Sequence, residues 1–269
     1  MGIISSILLG IVEGVTEFLP ISSTGHLILA ADLLKISQSE FVKSFEVIIQ
    51  LGAILAVVVL YWRKLLTNWA IIKRVIAAFI PTAIIGLVLY KLIKTYLLGN
   101  TLVVLVALFA GGLLLILFEL WLKKKGENQQ LGGDPSAGGS KPDNLENISY
   151  CQAVVLGLCQ SIAIIPGVSR SAATIIGGLA MKIKRETIVE FSFLLAVPTM
   201  AAATGLDLLK SSISFSANEW GLLIIGFFVS FLVALLAIKS FLKYIRHHDF
   251  IVFGLYRIVI AIVFALILL

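Results

Sequence analysis

The chain has 269 residues, of which 59% are hydrophobic and 13% charged, and its mean hydropathy is +1.07. Soluble globular domains do not reach that composition, so the sequence is that of an integral membrane protein. The net charge of +6 does not mark a nucleic-acid binder, because Lys and Arg cluster in loops beside apolar spans, where the anionic head groups of the lipid bilayer are the expected partner.

Several apolar stretches run for about 20 residues, enough for a helix to cross a hydrocarbon core roughly 30 Å thick. They are continuous and do not alternate, which favours helices over barrel strands. The first 34 residues hold no Lys or Arg and place Glu13 and Glu17 inside an apolar run, so a cleaved signal peptide is not expected. That run is interrupted by Gly10, Glu13, Gly14, Glu17 and Pro20, then by the polar series from Ser22 to His26. Too few apolar residues follow to span a bilayer, and the segment reads as a re-entrant helix-turn-helix hairpin with its tip near mid-membrane. Full spans follow at about 41–62, 75–97 and 101–122. The stretch 123–147, with its Gly-Gly-Asp-Pro-Ser-Ala-Gly-Gly run, reads as a flexible cytoplasmic linker. A second interrupted segment at 150–182, broken by Pro166-Gly167-Val168-Ser169-Arg170-Ser171, precedes further spans at about 187–208, 219–243 and 250–268. Cys151 and Cys159 lie eight residues apart on one predicted helix, too far for a disulfide.

An offset of 146 residues carries Pro20 to Pro166, Ser23 to Ser169, Phe45 to Phe191 and Ile48 to Leu194, and one residue more carries Gly10 to Gly157 and Glu13 to Gln160. Each half is then one hairpin followed by three spans, and three is odd, so the second copy enters the membrane inverted. The expected fold is an all-α polytopic membrane protein with six transmembrane helices, two re-entrant hairpins and an inverted-topology repeat, divided into 1–122, the linker 123–147 and 148–269. Basic residues gather at Arg63, Lys64, Lys73 and Arg74, at Lys123 to Lys125, at Lys182, Lys184 and Arg185, and at Lys239, Lys243 and Arg246, which places both termini outside.

Ionisable groups at membrane depth are costly, and each is a candidate for function. Glu13 and Glu17 share a helix face, which suits a divalent metal or an acid/base pair; alternatively they form a wet pair near a loop. Ser22 and Ser23 offer hydroxyl nucleophiles, and His26, three residues after Ser23, comes within hydrogen-bond reach as general base or acid if a short helix starts there. The same residues could equally be a helix cap with a packing histidine. Arg170, between Ser169 and Ser171 and followed by Thr174, matches phosphate oxygens in bidentate fashion, and a helix beginning near Ser171 would add free N–H groups. The competing reading is a buried ion pair with one of the glutamates. Arg257, inside the last span, is expected to pair with a carboxylate or to snorkel, and His247 and His248 read as solvated surface.

The series from Glu13 through Glu17, Pro20, Ser22, Ser23 and Thr24 to His26, and the series from Pro166 to Thr174, resemble the two signatures of the bacterial undecaprenyl-diphosphate phosphatase family. Phe45 to Val57 and Glu190 to Pro198 resemble it too, so that only the linker lies outside the likeness. The resemblance implies hydrolysis of undecaprenyl diphosphate to the monophosphate and inorganic phosphate, recycling the lipid carrier of peptidoglycan synthesis. It implies a divalent metal, Mg²⁺ or Ca²⁺, and a site open to the outer face of the bacterial cytoplasmic membrane. Glu17, Ser23, His26 and Arg170 match the family's catalytic residues. Substrate binding is expected at Ser22, Thr24, Ser169, Ser171 and Thr174, and metal binding at Glu13 and Glu17. Ala172 departs from the family's usual Gly, which bears on fine geometry at the tip. A phosphoseryl route through Ser23 and direct attack by water activated at His26 both fit, and a transporter of lipid phosphate is the alternative function. Nothing in the residues fixes the oligomeric state; a homodimer is one possible assembly.

Overall fold

Polar residues at the heads of the apolar runs set the helix boundaries. The computed structural model describes residues 1–37, 39–92, 97, 100–125, 144–210 and 215–268; residues 126–143 of the expected linker lie outside them. Ser39 Oγ accepts the Val42 N–H to open α3 (Glu40–Thr67), and Asn100 Oδ1 accepts the Val103 N–H to open α5 (Thr101–Lys124). Capping boxes, Ser149 with Gln152 and Ser216 with Glu219, open α6 (Tyr150–Ser161) and α9 (Ala217–Ile245). The other helices are α1 (Ile3–Thr16), α2 (Ser23–Leu33), α4 (Trp69–Leu92), α7 (Arg170–Ala180), α8 (Arg185–Lys210) and α10 (Ile251–Leu268).

Six of these, α3, α4, α5, α8, α9 and α10, are long and apolar enough to cross a membrane. Val88 is 75% exposed, Leu236 68% and Leu266 83%. Side chains of that kind, set on long apolar helices, face lipid and not water. The chain is therefore a multi-pass helical membrane protein. Two boundaries differ from expectation. α3 continues through Arg63 and Lys64, and α4 already contains Lys73 and Arg74, because these long cations hold their heads at partners beyond the apolar zone. Lys64 Nζ meets Glu190 at 2.7 Å, and Arg74 donates to the carbonyl of Ile148 while lying over the Tyr150 ring. Arg185, counted in the sequence with the basic cluster at Lys182 and Lys184, is buried against Glu119, with contacts of 2.6 and 3.2 Å.

The short helices rest on long ones. α1 packs on α9 and α6 on α4, while α3 contacts α8 and α9, and α5 runs along α10. Small residues permit the close approach. A Cβ on Gly14 would stand 2.6 Å from the Ser230 carbonyl oxygen, and one on Gly157 only 1.9 Å from that of Ala78. Between α1 and α2 the chain breaks over residues 17–22, and between α6 and α7 over residues 162–169, so each break sits between two short helices that pack on each other. Phe18, fully buried in the first break, meets Phe193 of α8 edge-on at 5.2 Å between ring centroids. That contact brings the first break against the second half of the chain.

Gly157→Val forces α6 away from α4 and should destabilise the detergent-solubilised protein by about 2 kcal/mol or more. Gly86→Ala, where an added Cβ meets nothing within 4 Å, should be neutral or gain up to about 1 kcal/mol. Thermal melts of the two variants check this, and equal melting temperatures would contradict it.

Candidate active site

The two breaks meet around the carboxylate of Glu17, the residue that ends α1. Ser23, the first residue of α2, donates its hydroxyl proton to Glu17 Oε2 in a short hydrogen bond. Arg170, the first residue of α7, places Nη2 at 3.1 Å from Glu17 Oε1. One carboxylate thus holds a serine hydroxyl from its own hairpin and a guanidinium from the other. Arg170 also donates from Nη1 to the Ser192 carbonyl at 2.8 Å, and its Nε has no acceptor. The ion-pair reading and the phosphate-cradle reading of Arg170 coexist here, since the paired guanidinium still lines a cavity of about 220 Å³.

The first break contributes Glu17, Ser22, Ser23 and Thr24 to that cavity, and the second contributes Ser169 and Arg170 with Ile164 and Val168. α4 adds Thr82, α6 Gln160, and α8 Thr199, Met200 and Ala203. Ser22 has φ +75°, a left-handed conformation that a residue with a Cβ adopts only when its surroundings enforce it. Its carbonyl accepts both the backbone N–H of His26, at 3.2 Å, and His26 Nδ1–H, at 2.8 Å. Ser169 Oγ caps α7 by accepting the Ala172 N–H at 3.2 Å, so that helix begins at Arg170, one residue before the expected start.

The expected Ser23 to His26 hydrogen bond does not form. With α2 starting at Ser23, the imidazole reaches back one turn to Ser22, while Ser23 turns to Glu17. His26 Nε2 accepts instead from the Tyr256 hydroxyl at 2.9 Å, and the two rings stack. Because Nδ1 donates to a carbonyl, Nε2 is the acceptor. Ser171 and Thr174 also face elsewhere: Ser171 Oγ donates to the Phe18 carbonyl at 3.0 Å, and Thr174 Oγ1 to that of Arg170 at 2.9 Å. Glu13 is fully buried, both its oxygens lack a hydrogen-bond donor, and the charges of Glu17, Glu46 and Arg170 act on it. Among the described residues, no group of three or more His, Cys, Asp or Glu could hold a metal unaided. Mg²⁺ is commonly held by one or two carboxylates plus waters and substrate phosphates, and the orphaned oxygens of Glu13 beside Glu17 fit that donor set.

Arg257 is the residue that sequence reasoning misjudged most. It is 1% exposed, which excludes snorkelling, and its acceptors are carbonyls: Leu108 at 3.3 Å and Ala107 at 3.1 Å on α5, Pro20 at 3.2 Å in the first break and Gly167 at 3.1 Å in the second. Gly111 leaves the space, since a Cβ there would lie 2.2 Å from Arg257 Nη2. The only warning in the sequence is an arginine within an apolar span. Tyr256, Thr82, Thr199 and Ser192 carried no signal, and Gln160 carried only its place opposite Glu13 under the offset of the two halves.

These features define a class: helical membrane proteins whose two interrupted helices build one polar cavity around a Glu–Ser–Arg cluster. The family model described as Bacitracin resistance protein BacA matches residues 6–263, and the chain belongs to that family. It is 53% identical over 260 residues to the undecaprenyl-diphosphatase of Aquifex aeolicus (strain VF5), covering 97% of this chain and 96% of the relative. It is 50% identical to the proteins of the same name from Sulfurihydrogenibium sp. (strain YO3AOP1) and Persephonella marina, with 99% of each chain covered in both cases.

Arg257→Met leaves the break carbonyls of Pro20 and Gly167 without this donor and should lower stability by about 2 kcal/mol or more. Arg257→Lys should recover part of that, because an ammonium supplies three donors without the planar fork. Melting curves in detergent test the order wild type, Lys, Met; a Met variant as stable as wild type would contradict the bridging role.

Proposed function

We propose that the chain hydrolyses undecaprenyl diphosphate to undecaprenyl phosphate and inorganic phosphate, returning the lipid carrier to peptidoglycan synthesis. The observation that carries this reading is the Glu17 carboxylate shared by Ser23 and Arg170 at one cavity. Whole-length similarity to proteins named undecaprenyl-diphosphatase supports the substrate.

Ser23 is the nucleophile and Glu17 its base. The Ser23 proton passes to Glu17 as Oγ bonds to the terminal phosphorus, and the bond from that phosphorus to the bridging oxygen breaks, releasing the lipid monophosphate. Arg170 offers its unpartnered Nε to the phosphoryl oxygens, with the hydroxyls of Ser22, Thr24 and Ser169 around it. Water then attacks the phosphoserine: its oxygen bonds to phosphorus, the Oγ–P bond breaks, and Oγ regains a proton from Glu17, which takes one from the water. His26, tied to the Ser22 carbonyl and to Tyr256, positions the strained turn that presents Ser23, in place of the direct base role expected from spacing. Ser171 and Thr174 act one step back, by fixing Phe18 and Arg170. Glu13 and Glu17 would hold Mg²⁺ or Ca²⁺. Such an ion neutralises phosphate charge.

The two broken segments are re-entrant hairpins in an inverted repeat. What supports this is reciprocal packing under the repeat: α1 lies on α9 as α6 lies on α4, and α5 pairs with α10, its own counterpart. The pairs Lys64–Glu190, Lys123–Asp249 and Arg246–Glu186 join helix ends at one face, where the basic residues gather. That face is cytoplasmic by the positive-inside rule, both termini are outside, and the cavity opens to the outer side of the cytoplasmic membrane.

Purified protein in detergent should release inorganic phosphate from an isoprenoid diphosphate in a divalent-metal-dependent way. Ser23→Ala, Glu17→Gln and Arg170→Ala should each lower kcat by about a hundredfold or more. Full activity of Ser23→Ala would rule out the phosphoseryl route. No release by the wild type, with carrier movement in liposomes, would favour a transporter.

A further inference from the structure

Gln160 lies outside the Glu–Ser–Arg cluster yet lines the same cavity, and its amide is held by two hydroxyls. Thr82 on α4 donates its hydroxyl proton to the Gly157 carbonyl at 2.8 Å, and Thr199 on α8 donates to that of Leu195 at 2.7 Å. With their protons committed, both hydroxyls can only accept, and Gln160 Nε2 donates to them at 3.2 and 3.0 Å. The amide cannot be turned over without setting its carbonyl against two oxygen lone pairs, so Oε1 is the atom left over. It is buried and has no donor, in a residue 2% exposed. A buried carbonyl without a donor is costly, and such a group on a residue that lines a cavity is a place for a ligand that donates.

We propose that Gln160, held by Thr82 and Thr199, positions the water that hydrolyses the phosphoryl group in this cavity; the inference rests on the phosphatase reading above. The oxygens of an ionised phosphate accept hydrogen bonds and are repelled by a carbonyl, so Oε1 selects water over the diphosphate itself. The cavity that Gln160 lines measures about 220 Å³, against the roughly 10–15 Å³ that one water requires. The water donates one proton to Oε1 and turns a lone pair toward phosphorus. Its oxygen then bonds to phosphorus as the Oγ–P bond of Ser23 breaks. Its second proton leaves for Glu17, which has returned a proton to Oγ, and the products are the serine and hydrogen phosphate. A glutamine that orients the attacking water is a recurring device in phosphoryl transfer.

The test is the partition between two acceptors. With methanol added to wild-type protein and an isoprenoid diphosphate, phosphorus NMR reads inorganic phosphate against methyl phosphate. Gln160→Leu should cut inorganic phosphate formation about tenfold or more and raise the methyl phosphate share severalfold, because methanol is not placed by Oε1. Thr199→Val, which removes one anchor of the amide and keeps the side-chain volume, should shift the share in the same direction by less, and it serves if the Leu variant fails to fold. An active wild type whose product ratio is unchanged in both variants overturns the inference and leaves the phosphatase reading intact. A wild type that releases neither product sinks both.

Discussion

A helix interrupted within an apolar bundle exposes backbone carbonyls that solvent cannot serve, and each must find a donor from another part of the chain. Here the donors come from outside each hairpin. Arg257 of α10 serves Pro20 in the first break and Gly167 in the second, and Ser171 of the second hairpin serves Phe18 of the first. Neither break is satisfied by its own hairpin alone. Arg257 and Ser171 tie the two irregular segments together, and with them docked Ser23 and Arg170 meet on one carboxylate. The geometry of the site follows from the solution to a backbone problem.

That division of labour fits the energetics. A buried ion pair such as Glu17 with Arg170 contributes little net stability, because desolvation offsets most of the attraction. The Arg257 guanidinium is directed at neutral carbonyls of α5 and of both breaks, a structural use of charge that leaves Arg170 to the cavity. Cohesion comes instead from close helix contacts at Gly14, Gly112 and Gly157 and from the Phe18–Phe193 contact beneath the first break. Stability is supplied around the cluster, which leaves Glu17, Ser23 and Arg170 free to carry chemistry.

What could be read in the sequence was whatever has a local signature. Apolar runs of spanning length gave six long helices, and Pro20 with Ser22 to His26, like Pro166 to Ser171, marked the two breaks. Ser23, Glu17 and Arg170 were identified by residue type and came together. The partnership of Ser23 was misread because i, i+3 spacing says which side chains can meet and not which partner each takes: both residues lie in the first turn of α2, yet Ser23 Oγ reaches Glu17. With Ser23 itself at the start of α2, the imidazole falls back on Ser22, whose φ of +75° no spacing rule anticipates. Arg257 was misread for a different reason: its partners are backbone carbonyls, which carry no residue identity. Thr82, Gln160 and Thr199 converge only through the packing of α4, α6 and α8, and an isolated polar residue in an apolar helix says nothing about what lies across the interface.

Under the proposed repeat, the two halves bring different chemistry to the cavity around Glu17. Equivalent positions have diverged in charge: Glu13 answers to Gln160, Thr24 to Arg170, and Glu46 to Ser192. On the first side, Glu13 is buried with the charges of Glu17 and Glu46 acting on it, an environment that repels a diphosphate unless a cation intervenes. On the second side, the same place in the fold holds a neutral amide between two threonines, and the cavity extends there. A symmetric dimer of hairpins would present either two acidic walls or two neutral ones. Under the proposed repeat one side carries buried acids and the other a neutral amide that lines the cavity, and Glu17 stands beside the nucleophile and the anion ligand together.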